Sequence, residues 1–215
     1  MPSKPLMKQI AAGRRKPNLT RKEFLDHRFR IHGQIADAPE DKDLKPHKYI
    51  QTQAFDSVFG QRESGPVNTN QHWSGHDYTT ELFFRDWDHV LNCFSSDYVN
   101  DNVAPDGLLF ADSRPKPVEV PTRLASERSN VPLNKDDAIV AMYFISTPDD
   151  AREGQQLETT LTPLLIKALE EYSQDEVWGL IANIGIVSER FDVNAYFGGV
   201  TMPQYSLVYV VYIAQ

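Results

Sequence analysis

The chain has a single cysteine, Cys93, among its 215 residues. One cysteine can form neither an internal disulfide nor a metal site built only from cysteines. Because disulfide frameworks belong to oxidising compartments, we expect a reducing cytoplasmic setting. The sequence also lacks an apolar run approaching the ~20 residues that a membrane-spanning helix needs. Its N-terminal apolar patch is too short for a signal peptide, so we expect no membrane partner.

Excess positive charge and cofactor-binding motifs are missing as well. The formal net charge is −8 at pH 7, which repels phosphate backbones, so we expect no nucleic acid partner. There is no glycine-rich phosphate loop, no Gly-x-Ser-x-Gly nucleophile elbow and no zinc-binding motif. These absences argue against nucleotide, flavin and nicotinamide cofactors and against a serine hydrolase. An enzyme with this sequence is expected to act on a small molecule without a cofactor or metal.

The clearest feature that is present is the start of a helix. Thr20 is a good N-cap, and Glu23 completes a capping box. Leu19 and Phe24 stand at the two positions of a hydrophobic staple. Spacings of three and four then predict an inward stripe, which consists of Phe24, Leu25, Phe29, Ile31, His32 and Ile35. His32 is expected near the C-terminal end of this helix, facing inward.

A strand predicted at 49–54 carries polar residues on one face. Tyr49, Gln51 and Gln53 share that face because side chains alternate along a strand, and it either meets solvent or lines a polar cavity. His47 lies just before this strand, where a surface loop position is the simpler interpretation. The next segment, 56–75, is rich in Gly, Ser, Asn and Gln and is predicted to be a long loop.

The predicted element order defines the fold class. Strands are predicted at 6–13, 49–54, 76–84 and 108–111, with helices after Thr20 and after Asp86. This β-α-β-β-α-β order is typical of a ferredoxin-like unit, an antiparallel sheet with helices on one face. Residues 115–121 are predicted to be an extended linker. We place this unit at 1–125 and a second, truncated ferredoxin-like unit at 126–215.

The second unit is predicted from a β-α-β-β order. Its strands are expected at 139–146, 177–187 and 206–213, and its helix runs to about residue 172. Pro163 either kinks this helix or begins a new one. Because the second face of each sheet needs cover, we expect an α+β fold in which two antiparallel sheets pack face to face as a barrel.

The motif KPNLTRKEFLDHRFRIHG resembles the signature of EthD-domain proteins. The later segments PHKYIQ and DWDHVLNCFSSDYV fit the same family, and the similarity covers roughly residues 5 to 120. It implies a dimeric α+β barrel, and fungal polyketide-pathway members act as dehydratases, decarboxylases or cyclases. Related methylmuconolactone isomerases place a histidine and a tyrosine at positions that match His32 and Tyr49. Residues 137–215 depart from the single-domain pattern, so the barrel could form within one chain or between chains.

Further candidates come from the third predicted strand and the second helix. His76 and Tyr78 share one face of that strand, while Asp77 and Glu81 share the other, and the sequence does not say which face borders a cavity. His89 and Cys93 stand four residues apart, but without a third ligand ordinary helix packing is the better interpretation.

These residues lead to a functional hypothesis. We expect a cofactor-independent lyase that acts on an aromatic or polyketide-like small molecule, with His32, Tyr49 and His76 as catalytic residues. The residues expected to contact the substrate are His47, Gln51, Gln53, Tyr78 and Phe29. The alternatives are a cofactor-free oxygenase or isomerase and a non-catalytic binding protein. Apolar sheet faces are compatible with a homodimer.

Overall fold

The start of the first helix follows from its capping box. In a computed structural model, which describes residues 6–54, 77–112, 119–127, 138–147, 153–172, 176–196 and 205–214, α1 begins at Arg21 and runs to His27. The backbone N–H of Thr20 donates to the Glu23 carboxylate (2.8 Å), and the Glu23 N–H donates to the Thr20 hydroxyl (3.2 Å). The predicted helix start is therefore confirmed.

Beyond His27 the helix widens into a π turn, Arg28–His32, before α2 (Gly33–Asp37). The Gly33 N–H donates to the Arg28 carbonyl, five residues back instead of four. This extra residue shifts the phase of the inward face. Phe29 and Ile31 are 45% and 47% exposed, so the prediction that they face inward is wrong, because it assumed an unbroken α-helical period.

The first compact unit comprises Gln9–Glu119 and Arg190–Met202. Its sheet has the strand order β2-β3-β1, and a second run of helix follows β3. The bounds of the elements in this unit, besides α1 and α2, are β1 (Met7–Gly13), β2 (Lys48–Gln53), β3 (Tyr78–Phe84), α3 (Trp87–Ser95), a π turn (Val99–Val103), α4 (Ala104–Phe110) and α6 (Val193–Tyr196). Asp86 caps α3, as predicted, by accepting from the His89 N–H at 3.0 Å.

The predicted strand at 108–111 is wrong, because residues 104–110 are helical. Leu108 and Leu109 are exposed on α4, and only Ala111 makes a β-bridge, with Arg15. Pro105 lacks an N–H and would crowd the carbonyl four residues earlier in a regular α-helix. The π turn just before α4 widens the helix at this point.

The register between β2 and β3 shows which side of this strand pair faces α1. Gln51 lies opposite Thr80 and Gln53 opposite Tyr78. The Gln51 amide donates to the Arg28 carbonyl, and the Phe24 ring lies 5.4 Å from the Tyr78 ring. Thus the face of β2 that carries Tyr49, and the face of β3 that carries Tyr78, are both turned toward α1.

The second unit comprises Met1–Lys8, Val120–Glu189 and Pro203–Gln215, and its four strands pair antiparallel in the order β4-β6-β7-β5. Its elements are β4 (Glu119–Glu127), β5 (Ala138–Ile145), α5 (Gly154–Tyr172), β6 (Val177–Gly185) and β7 (Leu207–Ala214). The predicted linker is therefore wrong at 119–121, which are strand, and 115–118 lie outside the described residues. Pro163 lies inside a single helix, α5.

One side of these four strands forms an apolar core with α5. The core strands contribute Leu180, Ala182, Ile184, Leu207, Tyr209 and Val211, and α5 contributes Leu157, Leu161, Leu165, Ile166 and Leu169. With antiparallel sheets and helices in both units, the predicted α+β class is confirmed. Among the described residues, no helix is both long and apolar enough to cross a membrane.

Candidate functional site

Two histidines from one helical segment contact a single aspartate from another. His32 Nδ1 lies 2.7 Å from Asp106 Oδ2, and His27 Nε2 lies 2.9 Å from Asp106 Oδ1. The side chains are largely buried, with exposures of 8% for Asp106, 13% for His32 and 23% for His27. Both oxygens of one carboxylate are thus engaged by imidazoles.

The π turn explains how residues five apart reach the same carboxylate. In a regular α-helix, with 3.6 residues per turn, residues i and i+5 point well apart around the axis. The i→i+5 hydrogen bonding of the π turn brings His27 and His32 closer to one side of the helix. A second π turn, Val99–Val103, immediately precedes α4 and its Asp106. Single-turn π insertions are frequent at functional sites.

The contacts with Asp106 define the tautomers of both rings. An ionised carboxylate only accepts hydrogen bonds, so His32 donates through Nδ1–H and His27 through Nε2–H. In neutral His32 the proton on Nδ1 leaves Nε2 bare, with a lone pair available to accept a proton. This is the role of the aspartate in a Ser-His-Asp triad, which holds its histidine in the tautomer needed for base catalysis.

The surroundings of His32 favour its neutral form. Burial lowers the pKa of His32, and the hydrogen bond and charge of Asp106 oppose that effect only in part, while the charge of Arg28 lowers this pKa further. The Phe110 ring, 4% exposed, packs edge-on against the His32 ring at 4.8 Å and lies 5.5 Å from the His27 ring. Near neutral pH, His32 is therefore an oriented, uncharged base.

Tyr49 and Gln51 form a second polar group on the face of β2 turned toward α1. Gln51 Nε2 donates to the Tyr49 hydroxyl at 2.7 Å and to the Arg28 carbonyl at 3.2 Å. Because the Tyr49 oxygen accepts this bond, its O–H remains able to donate to a ligand. Burial raises the pKa of Tyr49, so the group is a protonated phenol near neutral pH.

Arg28 is a buried cation beneath these groups. It is 1% exposed, donates to the carbonyls of Thr52 (3.3 Å) and Thr79 (2.6 Å), and its guanidinium lies 4.3 Å from the centre of the Tyr78 ring. Burial lowers its pKa to about 10, which still leaves it charged. Its charge lowers the pKa of Tyr49, and so favours negative charge at that position.

The other residues predicted for the site are more dispersed. His47 is exposed just before β2, Gln53 and Tyr78 are half-buried on paired strands, and Phe29 is largely exposed in the π turn. His76 lies outside the described residues, as does the predicted loop 56–75. Gln51 contacts both Tyr49 and the π turn at Arg28, and the charge of Asp106, which His32 contacts, also acts on Tyr49.

Two residues of the arrangement were missed by sequence reasoning. His27 was overlooked because an α-helical period separates it from His32. Asp106 was overlooked because its segment was assigned to the approach to a strand. The available signal was Pro105 next to Asp106, since proline is favoured in the first turn of a helix.

Metal binding finds no support at this site. His27 and His32 direct ring nitrogens at the aspartate itself, and within the described part of the chain no cluster of His, Cys, Asp or Glu suits a metal ion. His89 is also committed to structure: its Nδ1 accepts from the Arg85 N–H (3.2 Å), and its Nε2 donates to the Lys45 carbonyl (2.9 Å).

The family match found by comparison with known proteins lies within the first unit. The sequence model of one family, the EthD domain, matches residues 16–114, a segment that contains both histidines, Tyr49 and Asp106. No curated protein matches the chain in sequence. A crystal structure from Lactobacillus acidophilus NCFM, of a protein provisionally named a monooxygenase, is 9% identical with a TM-score of 0.40. The alignment covers 98% of this chain and 76% of that one.

Proposed function

We propose that this protein is a cofactor-independent lyase of the dehydratase, decarboxylase or cyclase type, acting on an aromatic or polyketide-like small molecule. His32 is the general base and acid, and Tyr49 is the hydrogen-bond donor to a substrate carbonyl. The observation that carries the proposal is the Asp106–His32 contact of 2.7 Å, which leaves Nε2 of a neutral imidazole as the proton acceptor. The match of residues 16–114 to the EthD domain is compatible with this assignment.

Dehydration of a β-hydroxy ketone illustrates the chemistry. His32 Nε2 removes the proton from the carbon next to the carbonyl, and the C–H electrons form a C=C bond as the carbonyl π electrons move to oxygen. Tyr49 donates its O–H to that enolate oxygen, and the nearby charge of Arg28 stabilises it. The electrons then return to form the new α,β double bond. The β-hydroxyl leaves with the proton held by His32, so one water is released and the base is regenerated.

The uncharged state of His32 matters for this cycle. A base that is already protonated cannot accept the substrate proton, and burial keeps the pKa of His32 below its ordinary value. Asp106 supplies a compensating negative charge once the imidazolium forms. The pair therefore stabilises the charged state of His32 when it is needed.

A two-step experiment tests the proposal. Native mass spectrometry of the purified protein, exposed to a library of hydroxylated aromatic ketones, first identifies compounds that bind. Turnover of those compounds is then followed by loss of water or carbon dioxide, together with oxygen consumption. We expect product formation without oxygen uptake, falling by about 10²–10⁴-fold in His32→Ala and Tyr49→Phe.

The matched control is Gln34→Ala, an exposed position on α2, the helix that follows the π turn. It should retain the activity of the unmodified protein. Full activity in a folded His32→Ala protein would overturn the assigned base. Oxygen consumption in step with product would replace the lyase by an oxygenase, and binding without turnover would replace it by a binding protein.

A further inference from the structure

The mechanism above uses one oxygen of Asp106, but the second oxygen is also occupied. His27 Nε2 lies 2.9 Å from Asp106 Oδ1, and the imidazole is 23% exposed, deep enough for the contact to be shielded from bulk water. The π turn between His27 and His32 aligns both rings with the carboxylate. This second histidine has no part in the proton transfer itself.

Two hydrogen bonds constrain a carboxylate more than one. A single contact leaves the group free to rotate about its Cβ–Cγ bond, whereas donors on both oxygens define the carboxylate plane. Phe110 packs against both imidazoles, which further limits ring rotation. The plane of Asp106, and hence the direction of Oδ2 toward His32, thus depends on a donor at position 27.

We infer that His27 is a positioning residue, whose Nε2–H fixes the Asp106 carboxylate so that His32 is held as the Nδ1–H tautomer. The inference rests on the proposed function for its catalytic meaning, but its structural content does not. His27 touches no reacting atom and acts only through Asp106. Because Asp106 accepts from both rings, the two histidines are opposite tautomers, Nε2–H at His27 and Nδ1–H at His32.

The charges around His32 give the sign of the expected change. Asp106 faces it from α4, and Arg28 and His27 lie on its own helical segment. Without the donor at position 27 the Asp106 carboxylate can turn away from His32. The hydrogen bond from His32 to Asp106, which raises the pKa of His32, is then weakened, so this pKa should fall.

Long-range ¹H–¹⁵N NMR of the imidazole rings tests this in the intact chain. The spectrum of the unmodified protein should show Nε2–H at His27 and Nδ1–H at His32. His27→Met has a similar length but no donor, and should lower the pKa of His32 by about half a unit to one unit, with loss of the pure Nδ1–H tautomer. His27→Gln places an amide N–H near the former Nε2 and should preserve the tautomer and the pKa.

Several outcomes would overturn the inference. An unchanged tautomer and pKa of His32 in His27→Met would do so, as would equal shifts in the Met and Gln variants. If His27→Met fails to fold, the unmodified protein and His27→Gln still test the inference. A bare Nε2 on His27 would contradict its hydrogen bond to Asp106, and loss of the Nδ1–H tautomer of His32 in His27→Gln would contradict the positioning role. These readings need no substrate. The two proposals can therefore fail separately. An active His32→Ala variant would refute the lyase proposal without touching the positioning role of His27.

Discussion

Replacing Asp106 by asparagine perturbs the site at the point where both histidines meet. The carboxylate offers an acceptor to each ring, whereas an amide offers one acceptor and one donor. When the oxygen of the new amide accepts from one imidazole N–H, its NH₂ group turns toward the other ring. That second ring must then present an unprotonated nitrogen to the amide. If this ring is His32, its proton moves from Nδ1 to Nε2, and Nε2 can no longer act as the base.

The expected magnitudes follow from these contacts. Hydrogen bonds to a charged group contribute about 1.5–3 kcal/mol each, but the substitution also removes the desolvation penalty of a carboxylate that is 8% exposed. We expect the free energy of unfolding to fall by about 1–3 kcal/mol. Activity should fall by about 10⁴-fold, the scale of the loss when an amide replaces the orienting aspartate of a Ser-His-Asp triad.

Urea unfolding and imidazole ¹⁵N NMR provide the assay, with Asp101→Asn as control. Asp101 is exposed in the π turn that precedes α4, so its substitution should change the free energy of unfolding by less than about 0.5 kcal/mol. The reasoning is refuted if Asp106→Asn leaves both the unfolding free energy and the Nδ1–H tautomer of His32 unchanged.

Two further predictions concern stability. Because burial lowers the pKa of His32 from its unfolded value near 6.5, the unfolded chain takes up this proton at a higher pH. The stability contributed by neutral His32 is therefore complete above about pH 6.5 and is lost as pH falls toward the folded pKa, at no more than about 1.4 kcal/mol per pH unit. Urea unfolding between about pH 5 and 8 should show this dependence relative to His32→Gln, and parallel pH curves would contradict it. Thr20→Ala should lower the unfolding free energy by about 1 kcal/mol through loss of the capping box, while Thr20→Ser should not. Equal stability of the two variants would show that the cap contributes nothing.

The local signals in the sequence predicted local structure well. Thr20 and Glu23 specify the start of α1 because the cap bonds form between residues three apart, and Asp86 specifies the start of α3 in the same way. His32 and Tyr49 were recognised because both carry titratable groups on elements that the fold class brings together. Such features depend on few residues and little tertiary context.

The rest of the site depends on departures from regular geometry. Two π turns shift the phase of their helices by a residue, so an α-helical period misplaced Phe29 and concealed His27. Asp106 acquires its meaning only from contacts made 74 and 79 residues away along the chain. The inward side of β3 likewise follows from its register with β2, which the sequence of either strand alone does not determine.

In the proposed reaction, His32 removes a proton from carbon. A ketone that the protein binds, but that lacks the leaving hydroxyl, isolates this step when it is incubated in D₂O and followed by ¹H NMR. We predict that the protein exchanges the hydrogen next to the carbonyl for deuterium, and that His32→Ala slows this exchange by about 10²-fold or more while Gln34→Ala does not. Exchange at equal rates with and without the imidazole of His32 would contradict the proposed reaction.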